Sequence, residues 1–517
     1  MKTTTFIATL FLACSTLYAQ QPSLSDIDTF VGKVMKEFDV PGISLSIVKD
    51  GKLVAAKGYG IRKLGTSAPV DAQTLFGIAS NTKAFTATAL GMLVEEGKLE
   101  WDAPVINYLP WFRLSDPYVT RELTIRDLLV HQSGLGLGAG DLLWWPYSTY
   151  TRNEIAHRLR YIPLATSFRS AYAYDNVLYL VAGEVVEAVT GQSWEDFVGT
   201  RIVKRIGMAH STVTCNFSRD GNVATTHAKV DGRLQIVQPD MSSNTSPAGG
   251  IHSNAEDMAK WMIVQLDSGK LADGSRLFSP KTTRQLWSLV TPISIASPAP
   301  ELEPLRANFN GYALGFGVRD YRGHKTVSHT GGLPGYVSRV FMIPDQKLGI
   351  AVLTNQESGD AFNAIVYFIV DRYLNAPKHD WLAAYKRTAG RRDSTNRAAE
   401  QAARTSRDST SRPSLSLAKY AGTYRDPWYG DVRVDLENGA LVMKFSHTPL
   451  LTGNLEHYQF NTFIARWHSR ELRADAYVTF DLDEKGLVDE IKMKPASPEV
   501  DFSFDFQDLR LKPAASK

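Results

Sequence analysis

Ser80 and Lys83 stand one helical turn apart in GIASNTKAFTATALGMLVEEGKL, residues 77–99. A serine hydroxyl is a weak nucleophile until a neighbouring base takes its proton. A lysine whose own pKa is lowered by burial or by positive neighbours is such a base. The chemistry on offer is acyl transfer through a covalent serine intermediate, which also needs a second proton carrier and donors for an oxyanion. Two short groups downstream hold residues of the right kind, Tyr174-Asp175-Asn176 and His329-Thr330-Gly331. None of these signals is specific alone. Tyr373-Leu374-Asn375 repeats the tyrosine group, and Ser-x-x-Lys recurs at Ser46/Lys49 and Ser416/Lys419.

The elements that carry each pair separate them. From 42 to 61, apolar and polar residues alternate on both sides of Asp50-Gly51, the pattern of a β-hairpin with a tight turn. Positions three apart on a strand face opposite sides of the sheet, so Ser46 and Lys49 cannot converge on one substrate. After Ser80 come Ala84, Phe85, Ala87, Leu90, Met92, Leu93 and Val94, closed by Gly97 at a helix stop. Ser80 then caps a helix whose free N–H groups and positive dipole end favour anionic charge beside it, with Lys83 on the same face. A capping serine and a solvated lysine account for this pair equally well when it is taken alone.

Residues 124–136 read as a helix ending in a Gly-rich loop, and 170–198 as a loop leading into two helices. Ser253 and Glu256 have capping-box spacing ahead of another helix. Strand-like runs fill 311–355, followed by a helix through AFNAIVYFIVDRYL. An N-terminal hairpin, a helical middle and late strands predict an α+β domain with one sheet built from both ends. Residues 383–413 lack a large apolar side chain after Tyr385 and read as a linker, in part helical. The tail alternates around Asn438-Gly439 and again over 473–494, which predicts a small antiparallel β domain, with Ser416 and Lys419 at its entrance and away from any helix-borne site.

At 517 residues, 44% hydrophobic and 21% charged, the chain has the composition of a globular protein of about two domains. A net charge of +3 without a basic, aromatic-interleaved run does not support nucleic-acid binding. The start, MKTTTFIATLFLACSTLYAQQ, reads as a secretory signal peptide cut after Ala19, which predicts a periplasmic or secreted protein. Lipid attachment at Cys14 is disfavoured, because Phe11 stands where such sites prefer leucine. Cleavage would leave Cys215 as the one thiol, too few for an internal disulfide or a zinc site. No later segment reaches 18 uninterrupted apolar residues, so no membrane span is expected.

Other motifs carry little. GLGLGAG at 134–140 lacks the third glycine and the preceding strand of a dinucleotide fingerprint. H-E-x-x-H and G-x-S-x-G are both missing, so a metal site and the α/β-hydrolase route to acyl transfer are not supported, and no cofactor is expected. His131 reads as structural. Trp144, Trp145, Pro146, Tyr147 and Tyr150 either rim a pocket or pack a loop on the body.

Taken together, Ser80-Asn81-Thr82-Lys83, Tyr174-Asp175-Asn176, His329-Thr330-Gly331, HQSGL at 131–135, SPAGG at 246–250 and GGLPGY at 331–336 resemble the serine β-lactamase and penicillin-binding-protein family, class C branch. The resemblance covers roughly residues 25–375, and the tail is similar to a lipocalin-like β domain appended to some serine peptidases of this group. It implies a β-lactamase-like transpeptidase fold: an antiparallel sheet flanked by helices, an all-helical region, then a small barrel-like domain. The implied limits are a signal peptide at 1–19, a hydrolase domain at 20–376, a linker at 377–413 and the β domain at 414–517.

By the same resemblance, Ser80 is the acylated nucleophile, Lys83 its base or relay, and Tyr174 a general base or relay. Asn176 binds the substrate carbonyl and Lys83. His329, Thr330 and Gly331 line the strand edge of the site, and the N–H groups of Ser80 and Gly332 form the oxyanion hole. Gly331 and Gly332 keep side chains away from a substrate backbone. Many β-lactamases carry lysine at the position of His329; a neutral histidine offers a hydrogen bond in place of a fixed positive charge. That points to an esterase, D-amino-acid peptidase or carboxypeptidase more than to a dedicated β-lactamase. The competing expectation is a penicillin-binding sensor or scaffold of the same fold with little turnover. A small-molecule or peptide substrate is expected, and the tail either closes over the site or makes oligomers.

Overall fold

The computed structural model describes residues 22–238 and 242–514. The expected signal peptide and Cys14 lie outside them. An eight-stranded antiparallel sheet runs in the order 52–60, 42–49, 348–354, 336–343, 324–333, 317–321, 310–312 and 291–292. Both ends of the domain thus supply one sheet, as the distribution of strand-like runs predicts. The hairpin turn falls at Asp50 and Gly51, with φ of +52° and +72°, the two left-handed residues that a type I′ turn requires.

Strand Gly42–Lys49 is buried on both faces, not on one as its alternation suggested. Ile43, Leu45 and Ile47 pack with helices Leu24–Phe38 and Gly359–Tyr373, while Ser44, Ser46 and Val48 turn the other way under helix Ala255–Leu266. Small serines there let a helix approach the sheet. Ser46 is therefore sealed in a strand, and Lys49 pairs with Asp50 at 2.8 Å at the surface.

Helix Thr82–Glu95 runs through the middle of the domain and is buried on every side from Thr82 to Leu93. A helix that is apolar all round must be internal. Phe85 stacks on Trp261 with ring centroids 3.7 Å apart. The helices Val177–Thr190 and Trp194–Val198 follow the loop expected at 170–176.

Two local expectations need correction. Residues 124–136 form only a single 3₁₀ turn, Asp127–Leu129, because the Asp127 carboxylate takes the Thr124 N–H and hydroxyl and the Arg169 guanidinium and holds the chain in a loop. The cap of helix Ala255–Leu266 is Asn254, whose side chain accepts the Asp257 N–H, and not Ser253. The segment read as a linker, in part helical, carries one 25-residue helix, Trp381–Thr405; Trp381, Ala384 and Tyr385 bury its first turns, and its alanines favour helix without a core.

The tail is an eight-stranded sheet in the order 488–495, 476–482, 462–467, 452–459, 440–445, 430–437, 422–426 and 512–513. A bridge between Ile491 and Leu511 brings its two edges together, giving a nearly closed barrel. Its core residues, such as Tyr420, Phe463 and Phe480, belong to the same continuous apolar cluster as the helical region. Tyr150, from the aromatic group at 144–150, stacks on His447 of the barrel at 3.8 Å.

Candidate active site

The chain reaches Ser80 through a short strand, Phe76–Gly77, and then a tight turn in which buried Ala79 has φ of +50°. A left-handed alanine is costly and persists only where its surroundings fix it. Ser80 sits inside the 3₁₀ turn Ala79–Asn81, and the helix proper begins at Thr82 with Asn81 in the cap position. The expectation that Ser80 caps the helix is thus corrected. Asn81 does not cap by side chain either; its amide bonds Ser338 Oγ at 2.8 Å.

Ser80 is left free to face Lys83. Lys83 is fully buried, which excludes a solvated lysine. Its Nζ lies 3.1 Å from Ser80 Oγ, 2.7 Å from Asn176 Oδ1 and 3.1 Å from the Ala248 carbonyl. Burial lowers its pKa to about 7, against the attraction of Asp141 and Asp175. A neutral amine has two N–H donors and one lone pair. With the donors taken by Asn176 and Ala248, the lone pair is aimed at the serine hydroxyl.

Asn176 occupies the cap position of helix Val177–Thr190 but makes no cap bond. Its oxygen serves Lys83, and its Nδ2 donates to Asp141 Oδ2 at 2.8 Å. Asp141 is also buried and accepts Trp144 Nε1 at 2.8 Å and Ser503 Oγ at 2.8 Å. Burial raises its pKa to about 7 despite these donors and the charge of Lys83. Tyr174 lies just ahead, its ring centroid 5.0 Å from Lys83 Nζ. Burial pushes its phenol well above the ordinary value, with a side-chain hydrogen bond to Ser80 acting against that. A phenol so held keeps its proton at neutral pH and suits a relay better than a resting base.

The far wall is strand His324–Leu333. His329 is held neutral, its pKa lowered to about 3 mainly by burial. Its Nδ1 donates to the Thr330 carbonyl, so its Nε2 is the acceptor for the Tyr312 hydroxyl at 2.6 Å. Both ring nitrogens are therefore occupied. Thr330 and Gly332 open onto the cleft. Gly331 does not: a Cβ there would come within 2.3 Å of the Ile78 carbonyl. At Gly332 nothing lies within 4 Å of such an atom. The two glycines thus answer different needs, one the packing of the turn that carries Ser80 and the other an open wall.

The cleft holds about 420 Å³ and brings Ser80, Tyr174, Asn176, His329, Thr330 and Gly332 to one surface. Of the aromatic group at 144–150, Trp144 and Trp145 line it. His131 is buried beneath, 4.3 Å from the Tyr174 ring between centroids. Sequence reasoning missed Asp141, Tyr312 and the carbonyl of Ala248, although SPAGG at 246–250 marked the last. It also missed Asp501, Phe502 and Ser503, which reach the cleft from the barrel. Among the described residues no group of three or more metal-ligating side chains is assembled. No helix there is long and apolar enough to cross a membrane.

The family model described as Beta-lactamase matches residues 27–371, and the Domain of unknown function DUF3471 matches residues 406–513. An unguisins hydrolase of Aspergillus violaceofuscus is 28% identical over 442 residues, 80% of this chain and 77% of its own length. The octameric penicillin-binding protein homologue from Pyrococcus abyssi superposes with a TM-score of 0.58 at 22% identity, covering 95% of this chain and 100% of that one. The D-amino acid amidase from Ochrobactrum anthropi SV3, complexed with L-phenylalanine, gives 0.57 at 22% identity over 68% of this chain and 98% of its own.

Proposed function

For a chain that belongs to the beta-lactamase family and is a serine hydrolase, we propose cleavage of amide or ester bonds through an acyl-enzyme on Ser80. The observation that carries it is the buried Lys83 amine, 3.1 Å from the Ser80 hydroxyl with its other hydrogen bonds directed at Asn176 and Ala248. Lys83 takes the Ser80 proton as Oγ bonds to the substrate carbonyl carbon. The oxyanion rests on the N–H groups of Ser80 and Gly332, a pair of donors of the kind worth about 10²–10³ in rate each. The tetrahedral species collapses by breaking the bond to the leaving amine or alcohol, which receives a proton relayed by Tyr174. Water, activated by the same groups, then attacks the ester and frees Ser80.

Asn176 holds Lys83 and reaches the substrate carbonyl, while Thr330 and the strand edge align the acyl chain. The neutral, fully bonded His329 favours esters and amides over β-lactams with their carboxylate. The names of the similar unguisins hydrolase and D-amino acid amidase support an amide bond. The leader-like residues 1–19 support a reading of export, which is tested by finding the mature protein outside the cytoplasm beginning at Gln20.

The activity is tested by assaying wild type and Ser80→Ala against nitrophenyl esters, D-amino-acid amides and a chromogenic cephalosporin. Ester or amide turnover above cephalosporin turnover, lost in Ser80→Ala, is expected. The opposite ranking overturns the substrate class. A stable adduct with labelled penicillin and no turnover of any substrate would instead make the protein a penicillin-binding sensor.

A further inference from the structure

Residues 501–505 reach from the barrel to the hydrolase domain, while Phe506 packs back on Phe445 and Trp467 of the barrel. Asp505 is buried, and its carboxylate accepts the Gly140 N–H at 2.7 Å and the Leu142 N–H at 3.0 Å. Ser503 bonds Asp141 between them. Phe502 stands edge-on to Tyr174, ring centroids 6.1 Å apart, and packs over Gly138, where a Cβ would meet its ring at 2.8 Å. This strap is pinned on both sides of the general-base network, and its segment Asp501–Ser503 forms one wall of the catalytic cleft.

The charges on that wall are one-sided. Among the described residues lining the cleft, Asp501 is the one carboxylate, and no lysine or arginine lines it. Asp501 is open to the cleft, and its Oδ1 accepts the Ser503 N–H at 2.9 Å, which fixes the carboxylate's direction. A neighbouring cavity of about 260 Å³ shares Asp501, Trp145, Gly332 and Leu333 with the first. It adds Glu357, Glu471 and Glu499 against one cation, Arg473, whose guanidinium is already bonded to Glu357 at 2.6 and 2.7 Å.

We propose that Asp501 pairs with an ammonium group of the substrate, so that the cleft selects esters and amides with a free amine over blocked or anionic ones. The proposal rests on the acyl-enzyme reading above and adds to it the charge of the substrate. A free amine places its positive charge against the strap's carboxylate, whose partial desolvation, which raises its pKa, makes an opposite charge beside it more favourable. A substrate carboxylate would meet Asp501 in a cleft whose lining holds no lysine or arginine to receive it.

The test uses the full chain. Wild type, Asp501→Asn and Asp501→Glu are assayed with phenylalanine p-nitroanilide and its N-acetylated counterpart, each in D and L form. Wild type is expected to favour the free amine by at least about tenfold in kcat/KM. Asp501→Asn should erase about tenfold of that ratio through KM, and Asp501→Glu should recover part of it. Equal handling of both substrates by wild type, or a parallel change of both in Asp501→Asn, overturns the proposal. Binding of phenylalanine amide to Ser80→Ala and to Ser80→Ala/Asp501→Asn, measured by calorimetry, decides the matter without turnover. If wild type cleaves neither anilide, the hydrolase reading fails for these substrates. A tenfold weaker affinity in the double variant still supports Asp501, and equal affinities reject it.

Discussion

Ser503 of the barrel and Asn176 of the hydrolase domain donate to the same oxygen, Asp141 Oδ2, each at 2.8 Å. Three hydrogen bonds therefore connect the tail to the nucleophile: Ser503 to Asp141, Asn176 to Asp141, and Lys83 to Asn176, with Ser80 next in line. A residue remote in the chain acts here as a positioning group for the proton machinery.

Ser503→Ala removes one of the donors to a buried carboxylate. The expected cost is about 1–2 kcal/mol of unfolding free energy. Because Asp141 loses one of the donors that fix the oxygen it offers to Asn176, kcat should fall more than KM rises. Denaturant titration and steady-state kinetics on the same preparation check both, and an unchanged kcat would confine Ser503 to holding the domains together.

The pH dependence of acylation follows from burial. With the Lys83 pKa lowered to about 7, the amine is protonated below that point and has no lone pair for the Ser80 proton. Tyr174, raised by burial, does not ionise in its place. The profile of kcat/KM for a nitrophenyl ester should rise with an apparent pKa near 7, falling about tenfold per unit on the acid side. Lys83→Arg, which cannot deprotonate, should lose at least about 10³ in rate. A flat profile from pH 5 to pH 8, that is about 5–8, would remove Lys83 as the base.

The adjacent glycines separate stability from catalysis. Gly331→Ala drives a methyl against the Ile78 carbonyl and should cost about 1–3 kcal/mol together with nearly all activity. Gly332→Ala meets open space, so its Tm should stay near wild type while kcat/KM falls, because the methyl enters the path of the acyl chain. Thermal unfolding beside kinetics distinguishes the two; equal losses of Tm would refute the assignment.

Much of the site is written locally. Ser80 and Lys83 declare their shared face through helical spacing, and the hairpin at Asp50-Gly51 and the tail turn at Asn438-Gly439 declare themselves through turn chemistry. The cap assignment failed because Ala79 takes a left-handed conformation fixed by packing, which no propensity encodes. The 124–136 helix failed because a buried Asp127 found distant Arg169. Ser503 and Asp141, 362 positions apart, share no periodicity that a sequence window could register.

Since the strap that fronts Ser80 is folded by the tail, the proposed discrimination and the proposed bond cleavage would reside in different units of the chain. Exchanging tails among relatives would transplant a taste for new substrates and oblige each newcomer to re-seat Asp141, and a version ending at Thr405 would keep Ser80 yet face solvent unguarded.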